Sequence, residues 1–136
     1  MERTEPLYRL RASTWLGIAA VNGLLAVAAG AFGAHGLEAR VPAADLAVFR
    51  TAAQYHMYHA LVLLAVAWRA EKAPGALFIS LAGWSFLCGI MLFCGSLYLL
   101  GASGSRRLVL LTPLGGLAFM LGWALLIWSA RADREA

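Results

Sequence analysis

Four stretches of this chain, residues 12–37, 51–68, 73–105 and 108–130, contain no aspartate, glutamate, lysine or arginine. No other property of the sequence limits its fold as severely. A helix crosses about 30 Å of hydrocarbon with ~20 residues, within a usual range of roughly 17–25, so each stretch is long enough to span a bilayer. Leu, Ala, Val, Phe, Trp and Gly fill them on every side, and a 136-residue chain has too small a core to bury four such helices from water. Charged residues make up 13% of the sequence, against about a quarter in soluble domains. The reading is an all-α integral membrane protein. It forms one up-and-down four-helix bundle over 1–136, with spans near 14–34, 48–68, 75–100 and 108–129. Nothing is left over for a second folded domain.

The net charge of +4 does not imply nucleic acid, because the 11 Lys and Arg are scattered over every link and both tails without a basic stripe or aromatic platform. They read as flanking charges of membrane helices, and they suggest an orientation. Arg3, Arg9, Arg11, Arg69, Lys72, Arg131 and Arg134 fall on the side of the termini, and Arg40, Arg50, Arg106 and Arg107 on the other. Seven against four favours cytoplasmic termini. The basic start and Ala29-Gly30-Ala31 also resemble a secretory signal with its cleavage site, but three further spans favour a retained first helix. Cys88 and Cys94 lie six residues apart in one span. They point about 120° from one another and so read as small apolar fillers rather than a bridge.

The first span begins at Trp15, at the depth of an aromatic belt, and is small-sided: Asn22, Ala26, Ala29 and Gly33 share one face. In lipid such a face lets two backbones approach closely. Asn22 is expected to hydrogen-bond a neighbouring helix. In the link, Pro42 suits a helix start, and a helix could run from there unbroken through Asp45, Phe49 and the second span to Trp68. The segment from Arg69 to Gly75 reads as a compact turn. The third span presents Ser85, Gly89, Leu92 and Ser96 on one face, residues 101–105 form a flexible link, and the fourth span opens near Thr112-Pro113 with Gly115, Gly116 and Gly122 for close packing.

The second span is the odd one. It begins Thr51-Ala-Ala-Gln-Tyr-His-Met-Tyr-His-Ala60 and only then becomes purely apolar. With Trp68 at one interface, a rise of 1.5 Å per residue puts His59 roughly 13 Å deep, His56 at ~18 Å and Arg50 at ~27 Å. A polar group in hydrocarbon costs several kcal/mol unless partnered, so Tyr55, His56 and His59 should form one polar sector facing the bundle or a hydrated cavity. His35, at the far end of the first span, lies roughly 16 Å from His59 in depth. Zinc–nitrogen bonds near 2 Å cannot bridge that gap unless the first helix breaks at Gly30 or Gly33. Three uses of the histidines stay open: packing across helices, a metal or haem held by His56 and His59 with ligands from elsewhere, or a small-molecule, lipid-headgroup or quinone pocket.

All seven acids lie outside the spans, which removes the intramembrane carboxylate of a proton-coupled exporter. No nucleophile stands beside a base, and no phosphate-cradling loop or metalloprotease motif is present. An enzyme is therefore disfavoured. Gly30-Ala-Phe-Gly-Ala-His35, Phe49-Arg-Thr51 with Tyr55-His56 and His59-Ala-Leu61, Cys94-Gly-Ser-Leu-Tyr98, and Thr112-Pro-Leu-Gly-Gly116 followed by Gly122-Trp123 together resemble the YgdD/YwdK-like family of small four-span membrane proteins. That resemblance covers roughly residues 14–128. It implies a four-helix protein of the bacterial inner membrane and brings no activity, substrate or cofactor.

The expectation is thus a non-enzymatic accessory, assembly or scaffold protein. Its polar sector (Asn22, His35, Arg50, Gln54, Tyr55, His56 and His59) packs helices or holds a small ligand. The alternatives are a small oligomeric transporter or channel with a His-lined path, and a metal- or haem-binding protein. The expected partners are the lipid bilayer and either further copies of the chain or another membrane protein. No catalytic residue, metal ligand or cofactor is assigned.

Overall fold

Backbone N–H and C=O groups find no water in hydrocarbon, so each apolar segment satisfies its own as a helix. The structure, a computed structural model, describes residues 10–73 and 76–132. Arg3 and Arg9 of the leading tail, Pro74 and Gly75 of the expected turn, and Arg134 lie outside the described residues. The described residues form four helices: α1 (Ala12–Leu37), α2 (Ala43–Lys72), α3 (Leu77–Ser103) and α4 (Leu111–Ala132). Among the described residues there is no strand.

Each helix ends for a local reason. The last turn of α1, Phe32–Leu37, widens into a π-helix, and the Leu37 carbonyl then accepts from Arg40 and Val41 N–H. Pro42, with φ −56° and ψ 148°, turns the chain, and α2 starts at the next residue. Asp45 in its first turn and Arg69 and Lys72 in its last suit the helix dipole. At 30 residues α2 is about 45 Å long, more than the hydrocarbon needs. Helix α3 carries a π turn at Ile90–Cys94 and closes at Gly104, whose φ of +68° is the left-handed cap conformation that glycine adopts without strain.

Successive helices run antiparallel. Along α3 and α4 the pairs Phe86 with Gly122, Gly89 with Phe119, Phe93 with Gly115 and Ser96 with Thr112 step in opposite directions. Between α1 and α2, Asn22 meets His56 and Gly33 meets Phe49. At Gly101 of α3 an added Cβ would lie 2.6 Å from the Phe49 nitrogen of α2, so only glycine fits there. Charges sort accordingly. Arg11, Arg69, Glu71, Lys72 and Arg131 gather at one end of the bundle, and Glu38, Arg40, Asp45, Arg50, Arg106 and Arg107 at the other.

The core lies along α2, where Ala52, Leu63 and Val66 pack against Trp15 of α1 and Ile79, Ala82, Phe86 and Cys94 of α3, all fully or almost fully buried. The outer surface is apolar: Leu24 is 70% exposed, Met91 74%, Met120 69% and Leu110 84%. Such a surface suits lipid and not water. Helices α1, α3 and α4 are each long and apolar enough to cross a membrane, and α2 is the fourth, less apolar member of the bundle. The π turn breaks the single face drawn through Ser85, Gly89, Leu92 and Ser96: Cys94 is buried where Leu92 is half-buried, and Ser85 bonds the Leu81 carbonyl of its own helix.

Candidate functional site

Polar side chains at membrane depth have to find partners within the bundle, and His56 finds two. Its Nε2 lies 3.1 Å from Asn22 Oδ1 of α1, and its Nδ1 lies 3.1 Å from the Tyr98 hydroxyl of α3. Asn22 Nδ2 donates to the Ile18 carbonyl at 2.8 Å, which leaves Oδ1 facing the imidazole as an acceptor. The network then assigns every proton: Nε2–H of His56 donates to Asn22, and the Tyr98 O–H donates to the bare Nδ1. A neutral imidazole has one donor and one acceptor, and here both serve to join α1, α2 and α3.

His59 sits one turn further along α2 but faces a different neighbour. Its ring stacks on Phe119 of α4 with centroids 3.5 Å apart and planes 6° from parallel, and Phe86 and Trp123 surround it at 5.7 and 6.5 Å. Its Nδ1–H donates to the Tyr55 carbonyl at 2.8 Å. That bond fixes the tautomer and leaves Nε2 as a lone-pair acceptor, with no hydrogen bond among the described residues. The expected single polar sector is therefore divided. A 60° step around the helix sends His56 towards α1 and α3 and His59 towards α4.

The remaining residues of the sector point outward. Tyr55 is 40% exposed and packs its ring on Phe93 and Tyr58. Gln54 and Arg50 stand at the exposed edge of α2, and Arg50 Nη2 contacts Glu38 Oε1 at 3.4 Å. His35 is exposed in the π turn of α1. Among the described residues no three of His, Cys, Asp and Glu come together as a metal site would require.

The partnerships of Tyr98 with His56, Phe119 with His59 and Ser96 with Thr112 are not legible in the sequence. Ser96 donates to the Phe93 carbonyl and accepts from Thr112 at 2.6 Å, which ties α3 to α4. A lone tyrosine deep in an apolar span was the available signal for Tyr98, but its partner depends on the antiparallel register of α2 and α3.

Residues 29–116 match the family described as "Protein of unknown function (DUF423)". The chain is 49% identical over 113 residues to the UPF0382 membrane protein YwdK of Bacillus subtilis, covering 83% of this chain and 92% of that one. It is 39% identical to a UPF0382 membrane protein of Haemophilus influenzae, covering 85% and 92%. It is 38% identical to the UPF0382 inner membrane protein YgdD of Escherichia coli, covering 82% and 85%. No solved structure matches.

Proposed function

The chain belongs to the DUF423 family of membrane proteins of unknown function, and from that premise we propose that it is a non-enzymatic scaffold or accessory protein of the bacterial inner membrane. Its buried polar side chains, His56 and Ser96 above all, hold helices together and do not conduct a solute. The observation that carries this reading is the arrangement at His56, whose two ring nitrogens are both engaged by side chains of other helices. An imidazole that relays protons or lines a hydrated path needs a nitrogen open to that path. His56 is 6% and His59 5% exposed, and each is packed against a neighbouring helix. Tight contacts at Gly101 and Gly115 add to a rigid bundle.

Reconstitution of the full chain in liposomes tests the proposal, with flux of protons, monovalent cations and small neutral solutes measured beside thermal unfolding. A scaffold gives no flux above empty liposomes, and His56→Ala lowers the melting temperature. Flux that His59→Ala abolishes while the fold persists contradicts the proposal and supports a His-lined transporter.

A further inference from the structure

Arg50 and Gln54 are shared by two adjoining open grooves at one end of α2. The first, about 480 Å³, lies towards the membrane surface and is lined in part by Glu38 and Thr51. The second, about 330 Å³, runs down between α1 and α2 over Ala26, Gly30 and Ala53 to Met57 and Tyr58. Both volumes fall within the ~300–1,000 Å³ of small-molecule sites. One end is polar and carries one cation and one anion. The other is apolar and open on its lipid side, since a Cβ placed on Gly30 would meet nothing within 4 Å. In a protein bathed in lipid, the molecule that matches this polarity is a phospholipid.

The charges narrow its headgroup. Arg50 and Glu38 touch through a single 3.4 Å contact, with side chains 51% and 66% exposed. Such a surface pair holds its partners weakly, and among the described residues the guanidinium makes no other hydrogen bond. A planar guanidinium recognises phosphate through paired N–H donors, whereas a carboxylate accepts from a primary ammonium. A cation and an anion side by side complement a zwitterion and do not complement a purely anionic headgroup. We propose that this groove holds one amine-bearing glycerophospholipid of the phosphatidylethanolamine type, its phosphate on Arg50, its ammonium on Glu38 and one acyl chain over Ala26 and Gly30. The site is independent of the scaffold role, because it uses neither His56 nor His59.

The test is native mass spectrometry of the full chain taken from vesicles holding equal amounts of phosphatidylethanolamine, phosphatidylglycerol and phosphatidylcholine. One phosphatidylethanolamine is expected to be retained in preference to the other two. Arg50→Ala weakens retention of all three by roughly tenfold or more, the effect of losing one charge-assisted hydrogen bond. Glu38→Gln removes the preference for the primary amine over the other headgroups. Gly30→Leu fills the groove on its open side, and it should lose the lipid while the thermal unfolding curve in lipid-free detergent stays unchanged. Equal retention of the three lipids by the unmodified chain, preference for phosphatidylglycerol, or full retention by Gly30→Leu overturns the proposal.

Discussion

At the scale of single residues, the bundle depends on a few polar and aromatic side chains that satisfy one another across helices. Asn22 was legible in this role from the sequence, because an amide in hydrocarbon has to be partnered. Tyr98 was not, because nothing in one sequence tells which turn of α3 lies opposite His56. His59 shows the same limit. Its depth follows from counting residues, but the stack on Phe119 exists only because α4 returns antiparallel to α3 and carries that ring past Gly89. Phe119→Leu keeps an apolar side chain of similar reach and removes the parallel ring contact. It should destabilise the bundle by ~0.5–1.5 kcal/mol, measured by reversible unfolding in bicelles, and leave the His59–Tyr55 bond in place. An unchanged unfolding free energy would show that the stack contributes nothing.

Elements are where sequence and structure part most clearly. Charge-free runs gave the four helices, and Pro42 marks the start of α2, although it stands just before the helix as its extended N-cap and not in the first turn. The two π turns have no counterpart in composition or spacing. In α3 the wide turn at Ile90–Cys94 accommodates one additional residue and passes the buried position to Cys94, so that Ser96 still reaches Thr112 and Gly101 still meets α2. Deleting Met91, which is 74% exposed, should therefore convert this stretch to regular α-helix with both flanking faces in register. Deleting Leu81, in a regular stretch, rotates the faces on either side by about 100° relative to each other. Size-exclusion profiles and melting curves in detergent check this. The Met91 deletion is expected to stay monodisperse and folded and the Leu81 deletion to aggregate; equal loss in both would show that the π turn is not an accommodated insertion.

For the whole molecule, lipid supplies what a larger core supplies in a soluble protein. Leucines and methionines cover the outside, charges collect at the two ends, and the contacts that distinguish one helix arrangement from another are small residues and hydrogen bonds. The central element of this arrangement is α2, which reaches α1 and α3 through one imidazole and α4 through the next. That gives a whole-molecule consequence to a single hydrogen-bonded ring: three of four helices are joined at His56. The measurement that tests this most directly is a double-mutant cycle of His56→Ala and Tyr98→Phe on the unfolding free energy of the full chain in a bilayer-like medium. A coupling of roughly 0.5–2 kcal/mol is predicted, the range of hydrogen bonds between membrane helices. Two substitutions that add without coupling would contradict the claim that this imidazole joins the helices.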